Sequence, residues 1–109
     1  MVSEQDIQTL ADDGVMVMRN LVSSEWLDRI AAAIERDIAD PAPYVHGYPA
    51  TNGSGRFHGN LRTWETDPDL RDFCLNSGLG ELTATLLGSD NVNLLYDQLF
   101  IKEPGTPNP

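Results

Sequence analysis

The sequence predicts an α+β fold, and three observations carry that reading. Residues 23–38 repeat apolar side chains at helical spacing, two shorter helical runs follow, one capped at Asp67 and one from Leu79, and residues 92–102 read as a strand largely apolar on both faces. With 109 residues, 40% of them hydrophobic and 22% charged, the chain suits one domain and is too apolar for full disorder.

Ser3 and Asp6 have the spacing of a capping box, in which two side chains satisfy unpaired backbone donors, and Ile7, Leu10 and Ala11 follow at helical intervals. This helix is expected to stop at Asp12-Asp13-Gly14, because glycine takes the left-handed conformation that closes helices. Val15-Met16-Val17-Met18 then reads as a short strand buried on both faces. Ser23 and Ser24 are N-cap residues, Glu25 complements the helix dipole, and Leu27, Ile30, Ala31, Ile34 and Ile38 form one apolar stripe. Asp28, Arg29, Glu35 and Arg36 read as the solvated side of that helix.

From about 40 to 60 the periodicity fails and Pro41, Pro43, Gly47, Pro49, Gly53, Gly55 and Gly59 take over, which predicts a long loop. Tyr44, His46, Tyr48, Arg56, Phe57 and His58 make it richer in aromatic and hydrogen-bonding groups than a linker, so it reads as a lid or site wall. Asp67-Pro68 opens a helix with a capping carboxylate and proline at its first position. Leu70, Phe73 and Cys74 give its apolar face, a break follows at Ser77-Gly78, and Leu79, Leu82 and Leu86 give a second helix ending at Gly88, both with core duty. Along residues 92–102 one strand face carries Val92, Leu94, Tyr96, Gln98, Phe100 and Lys102, the other Asn93, Leu95, Asp97, Leu99 and Ile101. A strand apolar on both faces that still carries Gln98 and Lys102 belongs between a packed layer and a polar-lined cavity. The rest, from Glu103 on, reads as a loop leading onward.

The formal charge of −10, from 17 acidic and 7 basic residues, argues against nucleic acid and anionic membranes, which require a basic surplus. No apolar run reaches the roughly 18 to 20 residues of a membrane span, the first residues are acidic where a secretory signal is basic, and one cysteine closes no internal disulfide. Together these read as a soluble, cytoplasmic protein. Cys74 lies among apolar residues with no electropositive neighbour in sequence and reads as a structural thiol. His46 and His58 lack the adjacent carboxylate of a metal pair and read as loop histidines bonded to backbone or water, so no metal ligand is assigned. Asp12-Asp13 and Asp67/Asp69 read as helix-end acids, and no phosphate-binding glycine motif is formed. The residues alone do not name a reaction.

A family resemblance adds one. The run from Asp12 to Ser23, Leu61-Arg62-Thr63-Trp64 with Asp67-Pro68-Asp69-Leu70-Arg71, Ser77-Gly78-Leu79-Gly80-Glu81-Leu82, and Leu86-Leu87-Gly88 occur in the order seen in phytanoyl-CoA dioxygenase-like proteins. Most specific is Asn93-Leu94-Leu95-Tyr96-Asp97-Gln98-Leu99-Phe100-Ile101-Lys102-Glu103-Pro104-Gly105-Thr106, which resembles a strand and Lys-Glu-Pro-Gly turn of that family.

The resemblance implies an oxidoreductase, a dioxygenase that uses Fe(II), O₂ and 2-oxoglutarate to hydroxylate a small organic substrate. It implies the helices and first strands of a double-stranded β-helix (jelly-roll or cupin-like) with the barrel incomplete, so that residues 1–109 are the N-terminal part of one domain. The family's His-x-Asp motif follows the Lys-Glu-Pro-Gly turn, and its second histidine and co-substrate arginine come much later. Iron and 2-oxoglutarate are therefore expected in a longer parent, with no catalytic residue here and no tight binding by this chain alone. Carried over by position, Gln98 and Asn60 are the cofactor-binding candidates, with Arg56 or Arg62 as substitutes where some members have lysine at the Asn60 position. Tyr96 and Lys102 are candidates for the substrate or pocket wall, against core packing for Tyr96 and bracing of the turn for Lys102. Exposed strand edges predict self-association. The rival reading is a free-standing small α+β binding module without catalysis.

Overall fold

The structure is a computed structural model that describes residues 1–48, 50 and 54–106. Pro49 and Gly53 of the predicted loop, the side chain of Tyr48 and the chain end at 107–109 lie outside those residues.

The fold is α+β. Helix α1 (Glu4–Asp13) begins at the capping box, with Ser3 N donating to Asp6 Oδ2 at 2.8 Å and Asp6 N to Ser3 Oγ at 3.2 Å, and closes at Gly14 with φ 72°. Helix α2 (Ser24–Ala39) is capped by Ser23. Strands β1 (His46–Tyr48) and β2 (Phe57–Leu61) precede a 3₁₀ turn at Thr63–Glu65. Helix α3 (Pro68–Asn76) is capped by Asp67, α4 (Leu79–Leu87) ends at Gly88, and β3 (Gln98–Lys102) completes an antiparallel sheet in the order β1-β2-β3. No helix among the described residues is long and apolar enough to cross a membrane.

Four sequence expectations are corrected. Residues 15–18 form no strand, and Val15 and Val17 are 66% and 72% exposed, because no neighbouring strand offers them a hydrogen-bond ladder. The predicted loop contains β1 and β2, since pairing with β3 overrides the local preference of its glycines. Those glycines serve the hairpin: a Cβ on Gly47 would lie 2.3 Å from Phe57 O, and one on Gly59 would lie 2.5 Å from the His46 ring. Strand 92–102 shortens to β3 because Leu61, opposite Gln98, is the last residue of β2 before the chain turns away. The packed side of α2 is rotated from the predicted stripe, leaving Leu27 54% exposed and burying Ala33 and Asp37.

That rotation brings two charges of the expected solvated side to work between helices. Arg29 reaches Asp69 (2.9 Å) and Asp72 (2.6 Å) on α3, and Arg36 reaches Asp67 (2.9 Å) and Asp69 (2.7 Å). The carboxyl of Asp69 is held below its usual range by Arg29 and then Arg36. Trp26 meets Phe73 edge-on at 5.5 Å beside these pairs. Asp67 caps as predicted, whereas Asp12 and Asp13 lie in the last turn of α1, where an acid does not cap. Of the two helices given core duty, α3 buries Leu70 and α4 buries no residue fully. Among the described residues the buried apolar side chains are Ala33 and Leu70, against Asp37, His58, Asn60 and Thr63 among polar ones. The radius of gyration, 16.3 Å, exceeds the roughly 13 Å of a closed domain this long. Hydrogen-bonded polar ties therefore position the elements more than a large apolar core does.

Candidate functional site

Antiparallel pairing sorts the sheet residues into two faces. His46, Gly59 and Phe100 share one row, Phe57 and Lys102 a second, Leu61 and Gln98 a third, and all project to the same side. His58, Asn60, Leu99 and Ile101 alternate with them and project to the other side.

The second face is tied to α2. Asp37 Oδ2 pairs with His58 Nε2 at 2.8 Å, and Asp37 Oδ1 accepts from Asn60 Nδ2 at 2.9 Å and from Ala42 N at 3.2 Å. Asn60 also donates to Ala42 O at 3.2 Å and accepts from Leu61 N at 2.9 Å, so its amide is spent inside the fold at 0% exposure. Neither histidine is a loop residue. His58 is buried on β2, and His46 lies on β1, its Nδ1 3.4 Å from Tyr44 O.

The first face is open. The His46 ring stands edge-on to Phe100 at 6.0 Å, Phe57 lies 5.8 Å from Phe100, and Phe100 is 56% exposed. Gln98 and Lys102 are exposed at the two ends of β3, separated by roughly 13 Å at strand spacing. The turn after Lys102 is braced by Arg56, whose N and Nη2 donate to Glu103 at 2.9 and 2.6 Å. These bonds hold the Glu103 carboxyl below its usual range. Thr106 Oγ1 adds bonds to Glu103 O (2.6 Å) and Arg56 O (3.2 Å).

At the Gln98 end the open face runs into a recess of ≈ 600 Å³ lined by Tyr44, Leu61, Arg62, Leu95, Tyr96 and Gln98. Arg62 has φ 59° and ψ 34°, the left-handed region that side chains with a Cβ rarely adopt. Asp97 holds it there: its carbonyl accepts from Arg62 N at 3.0 Å, and its carboxylate accepts from Trp64 N at 3.1 Å and from the buried Thr63 hydroxyl. The guanidinium lies 5.3 Å from the Tyr44 ring centre, with Nε and Nη2 on Glu65 Oε1 at 2.8 and 2.6 Å. Burial, with Asp97 secondary, raises the pKa of half-buried Cys74, consistent with a structural thiol.

Of the sequence candidates, the structure brings Gln98 and Tyr96 together at the recess, sets Lys102 at the far end of the same face, and puts Asn60 on the opposite face. Sequence reasoning missed Asp37, Thr63 and Asp97. A carboxylate between Ile34 and Ile38 was the available signal for Asp37; the other two carried none. Among the described residues no three His, Cys, Asp or Glu side chains converge as metal ligands, and the histidines project from opposite sheet faces. These residues do not fit an iron centre. Comparison of the chain with protein-family models, with curated proteins and with solved structures found no match.

Proposed function

We propose that this chain forms the N-terminal part of a phytanoyl-CoA dioxygenase-like, Fe(II)- and 2-oxoglutarate-dependent oxygenase domain, with the open sheet face as one wall of its cavity. The reading joins the sequence resemblance to one structural observation: the sheet is tied to α2 on one face while the other presents Phe100, His46, Gln98 and Lys102 uncovered. A double-stranded β-helix sets two sheets face to face, and such a face is what a second sheet would cover. In this reading iron is held by residues other than those described, and this chain's part is to bind and to exclude water. The Gln98 amide donates to a co-substrate carboxylate, and Leu61 and Phe100 keep the wall dry. Asn60 acts at one remove, by fixing Asp37 and the start of the hairpin.

The test is the intact mass of the polypeptide carrying this sequence in its source cell, followed by 2-oxoglutarate consumption. A species well above 12.0 kDa that releases succinate, with a higher KM for 2-oxoglutarate in Gln98→Ala, supports the reading. A 12.0 kDa species, or a heavier one that leaves 2-oxoglutarate untouched, overturns it in favour of a small α+β binding module.

A further inference from the structure

We infer that the recess at the Gln98 end of the sheet binds a small monocarboxylate with a flat apolar body, an aryl or arylalkyl acid, whose carboxylate pairs with Arg62. The inference does not depend on oxygenase chemistry; where that chemistry holds, this ligand class is the substrate.

The first argument is the backbone of Arg62. A non-glycine residue in the left-handed region is held there by its surroundings, and such residues cluster at ligand sites because the imposed conformation aims a side chain. Here the fixing group is Asp97, which lies between the recess residues Tyr96 and Gln98 and grips Arg62, Thr63 and Trp64. One residue therefore sets both sides of the recess relative to each other.

The second argument is donor geometry. A guanidinium offers five N–H groups in a planar fork, and Glu65 takes the edge formed by Nε and Nη2. Among the described residues Nη1 meets the Tyr44 hydroxyl at 3.5 Å, too long for a full hydrogen bond, so the Nη1/Nη2 edge is left to receive two carboxylate oxygens. The third argument is charge and shape. Glu65 already balances Arg62, and the chain carries a formal −10, so the site suits one negative charge rather than two. Tyr44 and Tyr96, each about half exposed, with Leu61 and Leu95 supply ring faces and apolar contacts for a flat body.

The experiment is an NMR titration of the 109-residue chain with phenylacetate, read at the backbone amides of Arg62, Tyr96 and Gln98. Saturable shifts at these amides are expected. Arg62→Gly keeps the left-handed backbone without strain, so the fold is retained while affinity falls about tenfold or more. Glu65→Gln removes the competing carboxylate and tightens binding. Phenylacetamide, neutral and of the same shape, binds about tenfold more weakly than phenylacetate. Absence of saturation, or equal binding by Arg62→Gly, overturns the inference. Displacement of phenylacetate from the Arg62 amide by 2-oxoglutarate also overturns it, since the Arg62 end of the recess is then a co-substrate subsite and the oxygenase reading survives alone.

Discussion

The two faces of one small sheet are built in opposite ways. On the face toward α2, Asp37, His58 and Asn60 are at most 7% exposed and bonded to one another. On the other, Phe100 is 56% exposed and packs against the rings of His46 and Phe57. The contrast separates two tasks. The buried Asp37 carboxylate, which joins several segments, positions the elements, because a buried acceptor surrounded by donors tolerates few alternatives. The open face is relieved of that duty, so its side chains are available to a ligand, a partner or a covering sheet.

Substitutions sharpen this contrast, and the largest effect belongs to Asp37. Asp37→Ala leaves Asn60 Nδ2, His58 Nε2 and Ala42 N without their acceptor in a buried setting, a loss of about 3 kcal/mol or more. Urea unfolding followed by circular dichroism measures it, and an unchanged midpoint would show that the tie between α2 and the sheet is dispensable. Next is Asp97→Ala, expected to cost about 2 kcal/mol because the Thr63 hydroxyl and Trp64 N lose their acceptor. The main-chain carbonyl of residue 97 still accepts from Arg62 N, so the changed amide environment is expected at residues 63 and 64, where the carboxylate acted.

These anchors show what the sequence made legible. Ser3 with Asp6, Gly14, Ser23, Asp67 with Pro68, and Gly88 were readable because a cap is decided within about four residues. The alternation that puts Gln98, Phe100 and Lys102 on one side was readable for the same reason. Asp37 meets residues 21 and 23 positions away and Thr63 meets Asp97 at 34, separations on which local periodicity is silent. The hairpin was missed because Gly47 and Gly59 carry the signature of breakers, although their missing Cβ atoms are what let β1 and β2 approach. The family resemblance, by spacing back from Asp67, pairs Asn60 with Gln98 as a co-substrate candidate. The register pairs it with Leu99, and that one-residue offset sends the two amides to opposite faces.

A smaller effect separates the exposed ion pairs from the buried ties. Arg29→Ala and Arg36→Ala are each expected to lower the urea midpoint less than either carboxylate substitution, since the arginine side chains are 33% and 49% exposed and solvent screens their pairs. Acid probes the same contacts. Asp69, Asp72 and Glu103 have lowered pKa values, so the unfolded chain takes up their protons at higher pH than the fold does. Their contribution is present above the ordinary values of 3.8 and 4.5 and is lost as pH falls through the lowered ones. The melting temperature should drop below about pH 4, less steeply in Arg29→Ala, as differential scanning fluorimetry across pH would report.

The smallest effect on stability is expected on the open face, where it is also the most informative. Phe100→Thr removes an exposed ring and leaves a β-branched residue suited to a strand, so the unfolding free energy should change by no more than about 0.5 kcal/mol. Its consequence lies in association. β3 is an edge strand, and with Phe100, Leu95 and Tyr96 at least half exposed the chain presents apolar surface beside an open strand edge, a combination that pairs with other chains. Sedimentation velocity should show a concentration-dependent shift for the unaltered chain that Phe100→Thr reduces. If Phe100→Thr instead unfolds the protein, the ring is part of the core and the division between a structural face and an available one fails. If association persists unchanged while stability holds, contact runs through the β3 backbone edge rather than the aromatic face, and Lys102→Pro, which removes a backbone donor, should then abolish it.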